Sequence, residues 1–261
     1  MGKKDSKRPA QHVKVPMAAP NMRIGLLGGS FNPAHAAHRQ ISLAALKRLG
    51  LDQVWWLVSP GNPLKDARDA PDLEARIGVA REVAHHPKIV ITGFEVGHPS
   101  AYTVDTISFL KRRYPSVDFV WLMGADNLVS FHRWRTWEEL FGLVPIAVLD
   151  RPGYRLKARA SRAAQRFAFA ALDESDARGL ASMEPPAWTL LSLPLSSLSS
   201  TRLRSGVEGE PPRGKTRKAA KAVKKLAKKA RKTAKQQKKH HRRRTRRTQT
   251  KVRKRRSDTS Y

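Results

Sequence analysis

An α/β architecture, a doubly wound parallel sheet, is predicted for this 261-residue chain by three observations. Apolar runs of strand length alternate with segments of helical period from Met22 to Leu193. Parallel strands explain that alternation, because a parallel return needs a crossover element and the crossovers then cover both faces of the sheet. Glycine, histidine, lysine and Ser-Thr runs cluster just after the apolar runs, where ligands gather beyond the strands' carboxyl ends.

The elements are expected in the following order. A strand at Arg23 to Leu27 leads to a helix near His35 to Leu49, and a strand at Val54 to Val58 to a helix near Leu73 to Ala84. Ile89 to Ile91, a helix near Thr103 to Arg113 and Phe119 to Met123 continue the pattern. Thr136 to Phe141, Ile146 to Leu149, one Ala-rich helix near Ala158 to Leu172 and Thr189 to Leu193 complete it. The loops after Leu27, Val58, Ile91, Met123 and Leu193 are therefore the places to look for chemistry.

Charge divides the chain into three parts. The first 20 residues carry 5 basic and 1 acidic side chains with no apolar period, so residues 1–21 are expected to be a disordered basic arm. The body, 22–206, is the expected domain; residues 21–206 hold 23 basic and 17 acidic groups, an ordinary balance for an enzyme of anionic substrates. A chain of that length buries roughly 70% of its unfolded surface and folds alone. Residues 207–261 carry 24 basic and 3 acidic groups, a polycationic tail that supplies most of the net charge of +31. Its apolar positions are mainly alanines at helical spacing, too small to hold a core, so it is expected to be disordered or transiently helical. Such a tail suits non-specific RNA, DNA or ribosome binding, and equally a solubilising appendage. The absence of cysteine removes disulfides and thiolate metal sites. Neither a membrane span nor a secretory signal is legible, which predicts a soluble cytoplasmic protein.

The first loop reads GGSFNPAHAAH, Gly28 to His38. Gly28 and Gly29 let backbone amides approach an anion, and the helix that follows presents its positive end to the same place. His35 and His38, three apart, lie on one helix face. A metal pair lacks a third ligand here, and two plain surface histidines at a helix start remain the alternative. GEPPRGKT, Gly209 to Thr216, fits the P-loop pattern but has no strand before it, and its two prolines remove amide donors, so it is rejected.

GGSFNPAHAAH resembles the GxFDPxHxGH signature of the nucleotidyltransferase superfamily that includes the bacterial nicotinate mononucleotide adenylyltransferases, with Asn32 in the Asp position and Ala37 where glycine is usual. LSSTRLRSG, Leu198 to Gly206, resembles the superfamily's ISSTxxR signature; without that resemblance, its Ser-Ser-Thr run is a plain helix cap. Two signatures about 165 residues apart in the right order outweigh a chance match.

The resemblance spans residues 22–206 and implies a Rossmann-like fold and adenylyl transfer from ATP to nicotinate mononucleotide, giving nicotinate adenine dinucleotide and pyrophosphate in NAD biosynthesis. It implies catalytic roles for His35, His38, Lys65 and Arg204, with Lys65 matching the NPxK segment in SPGNPLK. ATP is expected at Gly28, Gly29, Ser30, Phe31, His35, His38, Gly124, Asp126, Ser199, Ser200, Thr201 and Arg204, with Gly124 and Asp126 from MGADN. Thr103 of AYTVDT, with Trp134 and Arg135 of FHRWRTW, is expected to bind the mononucleotide; capping is the alternative role of Thr103, and one of Trp134 and Trp137 is expected to be packing. RPGY, Arg151 to Tyr154, resembles a post-strand segment of the family, or is a plain turn. Mg²⁺ is expected on the ATP phosphates, with no protein metal ligands. Nicotinamide mononucleotide or another phosphorylated small molecule is the alternative acceptor, and a nucleic-acid-binding protein with a silent body is the alternative of another class.

Overall fold

The apolar runs form one sheet. The computed structural model describes residues 13–60, 72–97, 100 and 102–193. Its strands are β1 (Arg23–Gly29), β2 (Gln53–Val58), β3 (Ile89–Thr92), β4 (Asp118–Gly124), β5 (Ile146–Leu149), β6 (Ala171–Leu172) and β7 (Trp188–Leu191). They lie in the order β3-β2-β1-β4-β5-β7-β6, and every neighbouring pair is parallel. The winding reverses between β1 and β4, so a crevice opens beyond their carboxyl ends, where a ligand is expected in such sheets.

Seven α-helices are described: α1 (Ala36–Arg48), α2 (Leu73–Ala84), α3 (Thr103–Arg113), α4 (Ala125–Ser130), α5 (Trp137–Leu143), α6 (Arg155–Arg159) and α7 (Arg162–Arg166). The bounds of α2 and α3 coincide with those predicted. The single helix predicted over Ala158 to Leu172 is instead α6, α7, a 3-10 turn at Ala168–Ala170 and strand β6. Ser161 makes the break: its backbone is extended, and its Oγ accepts from the Ala164 amide at 3.2 Å, which starts a new helix.

Two apolar layers flank the sheet, because successive strand residues face opposite sides. Trp55 packs with Ile24, Leu26, Phe119 and Trp121 in one layer, under α3, α4 and α5. Trp56 packs with Leu27, Val58, Val120 and Leu122 in the other, under α1 and α2. A 3-10 stretch, Glu174–Ser182, covers part of the second layer.

Residues 13–21, assigned from composition to a disordered arm, lie against this body. Tyr114 donates its hydroxyl to the Pro16 carbonyl at 2.6 Å, the Asn21 amide donates to Ser116 O at 2.6 Å, and Val15 and Ala18 pack on the core. Apolar Val15 and Ala18 offset the polar composition that suggests disorder. The chain divides into two units, Met1–Glu208 and Gly209–Tyr261, and the second falls wholly outside the described residues. Among the described residues no helix is long and apolar enough to cross a membrane.

Candidate active site

The crevice starts at the carboxyl end of β1. A Cβ on Gly28 would collide with the outer edge of the Trp121 indole of β4, so this glycine lets the neighbouring strand's ring lie across it. Phe31 then takes a left-handed backbone (φ 44°), unusual for an aromatic residue and costing about 1–3 kcal/mol. That turn buries its ring flat on Trp56, with centroids 5.0 Å apart and planes 14° from parallel. Trp56 in turn donates to the Ser42 hydroxyl at 2.7 Å, and Ser42 donates to the His38 carbonyl at 2.9 Å. Loop and helix start are thereby locked to β2.

His35 is the N-cap of α1 and His38 lies in its first turn. Their rings face one another with centroids 3.9 Å apart, and Phe31 closes on His38 at 4.8 Å. The His35 amide donates to His38 Nδ1 at 3.2 Å, so neutral His38 carries its proton on Nε2. Both ring nitrogens of His35 are buried without a hydrogen-bond partner. Burial, and then the positive charge of Arg151, push His35 down to about 4. His38 is held well below 6.5 by burial, by His35 and by Arg151. The pair is therefore neutral at pH 7.

Gly124 ends β4. A Cβ there would collide with the Asp126 carboxylate and come within 3.0 Å of Arg151 Nε. Glycine therefore makes room for an ion pair, Arg151 Nη1 to Asp126 Oδ2 at 3.3 Å, directly beyond β4 and β5. The other Asp126 oxygen, Oδ1, is buried and has no partner. RPGY reads in the sequence as a post-strand segment of the family or a plain turn, with no site role for Arg151; the structure makes Arg151 a site cation, and its place immediately after the β5 loop residue Asp150 is the available signal.

Of the residues expected to bind the mononucleotide, Trp134 meets Trp121 edge-on at 6.3 Å and Phe131 at 5.0 Å, and is half-buried. Trp137 packs instead among Phe131, Phe141 and Phe167. Arg135 is exposed and lies over the Tyr102 ring at 4.4 Å. Tyr102, not Thr103, is the N-cap of α3, and Thr103 is its first helical residue. Arg135 and the start of α3 are thus neighbours, and Trp134 connects through Trp121 to Gly28.

Arg76 was also missed, because a lone arginine in an amphipathic helix reads as surface charge. Its side chain is buried, the residue being 4% exposed, and it donates to the Ser30 and Ser59 carbonyls at 2.7 Å each and to Pro60 O at 3.1 Å. Lys65, Ser199, Ser200, Thr201 and Arg204 lie outside the described residues. Among the described residues no group of three or more His, Cys, Asp or Glu side chains is placed to hold a metal ion.

Comparison with known proteins bears on the same stretch. A family profile described as cytidylyltransferase-like matches residues 26–206. A protein of Methylorubrum extorquens (strain PA1), named "Probable nicotinate-nucleotide adenylyltransferase", is 57% identical over 184 residues, which is 70% of this chain and 100% of that protein. A Mesorhizobium japonicum protein of the same name is 49% identical over 195 residues, 75% of this chain and 100% of its own. Among solved structures, the Plasmodium falciparum nicotinic acid mononucleotide adenylyltransferase complexed with NaAD superposes with a TM-score of 0.54 at 18% identity, covering 70% of this chain and 83% of that one. At that identity the likeness concerns the fold alone.

Proposed function

The chain belongs to the cytidylyltransferase-like family, and from that premise we infer that it is a nucleotidyltransferase, moving adenylyl from ATP to nicotinate mononucleotide and releasing nicotinate adenine dinucleotide and pyrophosphate in NAD biosynthesis. The observation that carries this reading is the buried, unpartnered His35 imidazole facing His38 at the β1–β4 reversal, with the charge of Arg151 acting on both rings. Among the described residues the crevice offers imidazoles, a carboxylate and a guanidinium, groups suited to holding phosphates and hydroxyls.

In this reading a phosphate oxygen of the mononucleotide attacks the α-phosphorus in line, the bond to the β-phosphate oxygen breaks, and pyrophosphate leaves with that electron pair. The protein holds two anions in contact and offsets charge on the departing group. His38 Nε2–H and the His35 ring donate to phosphate oxygens. A polyphosphate beside them raises both pKa values, so binding draws protons onto the pair. Lys65, Arg204 and the Ser199, Ser200 and Thr201 hydroxyls supply further donors to the phosphates, and the Gly28 to Phe31 backbone follows the same chain of charge. Asp126 Oδ1, the unpartnered acceptor, takes a ribose hydroxyl of ATP beside Gly124. Trp134 stacks on the pyridine ring, with Thr103 and Arg135 at its polar end. Mg²⁺ enters as part of the ATP substrate, held by the phosphates.

A metabolic enzyme of this kind is proposed to work in the cytoplasm, and the polycationic tail adds a tether to RNA, DNA or ribosomes that does not read sequence. Salt-sensitive retention on polynucleotide that disappears when residues 207–261 are removed tests the tether; equal retention of both forms disposes of it. Pyrophosphate release from ATP, measured with nicotinate mononucleotide and then with its amide, tests the reaction. Rapid release with the acid and slow release with the amide is expected, and release with neither refutes the reading.

A further inference from the structure

We propose that Arg76 is a positioning residue that aims the anion-binding backbone of the first loop into the crevice. It stands on α2, away from the reacting atoms, yet its guanidinium reaches two loops at once. Nη1 donates to Ser30 O and to Ser59 O, and Nη2 donates to Pro60 O. The first of these carbonyls belongs to the loop after β1, and the other two to the loop after β2. The same two loops are joined by the Ser59 amide, which donates to Gly29 O at 3.0 Å.

The consequence for ligand binding follows from the planarity of the peptide group. The Ser30–Phe31 bond is trans, so its carbonyl and amide point in opposite directions. Turning Ser30 O toward Arg76 turns the Phe31 N–H away from it. Phe31 is also the residue in the left-handed region, and its ring is pinned on Trp56 and beside His38. One buried guanidinium therefore fixes an unfavourable backbone turn on the side opposite the imidazoles' support. A planar fork of fixed geometry suits this, because a lysine ammonium is a compact point charge whose donors do not fix the directions of the carbonyls they meet.

This inference rests on the assignment of ATP to the first loop, and the test separates the two. Calorimetric ATP affinity, and KM for ATP and for nicotinate mononucleotide, are measured on full-length wild type, Arg76→Lys and Arg76→Ala. Arg39→Ala serves as a control, since Arg39 joins α1 to α2 through one bond to Ala84 O at 3.0 Å and touches neither loop. ATP binding is expected to weaken about 10- to 100-fold in both Arg76 variants, with KM for the mononucleotide within about twofold of wild type. Added guanidinium ion restores part of the ATP affinity of Arg76→Ala, while Arg39→Ala leaves all three constants unchanged. The lysine form, which keeps the buried charge, carries the test if the alanine form does not fold. Unchanged ATP affinity in a folded variant, or an equal loss on both substrates, overturns the role. Wild type that binds ATP but transfers nothing to the mononucleotide refutes the reaction, and leaves the Arg76 comparison to be decided by ATP affinity.

Discussion

Two polar clusters at the carboxyl side of the sheet are built on opposite plans. At the exit of β7, Glu174 accepts from Arg48 Nη1 at 2.7 Å, from the Ser192 amide at 2.7 Å and from the Ser192 hydroxyl at 2.9 Å. Arg155 completes the cluster by donating to Ser192 Oγ at 2.7 Å and pairing with Asp150 at 3.4 Å. Among the described residues, every polar atom buried without a hydrogen-bond partner lies elsewhere: both nitrogens of His35, Trp121 Nε1, Asp126 Oδ1 and His132 Nδ1. Leaving such atoms unpaired costs about 1–3 kcal/mol each, so a protein tolerates them where a ligand is to supply the missing partners. A saturated cluster fixes shape, and an unsaturated one keeps donors and acceptors in reserve.

Substitution of His38 should produce the largest effect that separates the two. His38→Ala is expected to lower kcat by about 10²- to 10⁴-fold with much less change in KM for ATP, and to lower the melting temperature somewhat through the lost bond to the His35 amide and the lost contact with Phe31. Steady-state kinetics on the folded variant checks it; a loss confined to KM, or a kcat close to wild type, would place His38 with the saturated kind.

Acid titration gives the next contrast. Above pH 6.5 His35 is neutral both folded and unfolded, and its burial costs nothing in protonation. Between pH 6.5 and about 4 the unfolded chain binds a proton that folded His35 refuses, so stability falls with falling pH, by roughly 3 kcal/mol over the window. His38 adds to the loss in the same direction. Burial pushes the Glu174 carboxyl up, but the bonds from Ser192 and Arg48 outweigh this and hold it below 4.5, so its contribution is complete above pH 4.5 and is lost only as the pH falls below that. Denaturant melts of wild type and His35→Asn from pH 7 to 4 should diverge; parallel curves would break the distinction. ATP should flatten the wild-type curve by favouring the protonated pair.

Glu174→Gln should have the smallest effect, a stability loss of about 1–2 kcal/mol with kcat retained. A kinetic defect without a stability loss would move this cluster into the active site.

Most of the sheet was legible because VWWLV, FVWLM and IAVL are strand-length apolar runs with no competing helical period. The stretch from residue 155 to 172 was not: alanine favours helix throughout, and the break depends on one capping serine and on a two-residue strand held by pairing with β7. Short α4 also escaped, since its six residues carry no full period. In the site, His35, His38, Gly124 and Asp126 were named from motifs, whereas Arg151 and Arg76 act through neighbours distant in sequence. An arginine's burial and partners are tertiary facts, and local pattern does not encode them.

The indole laid across Gly28 has a consequence for inheritance. No side chain fits at 28 while tryptophan occupies 121, and a smaller ring at 121 opens a hole that the glycine cannot fill. Single-site mutational scans would score each position as intolerant, yet paired changes that enlarge one and shrink the other would survive. Descendants of this chain would thus vary the two together or not at all, an epistatic couple joining adjacent strands whose codons lie nearly a hundred positions apart.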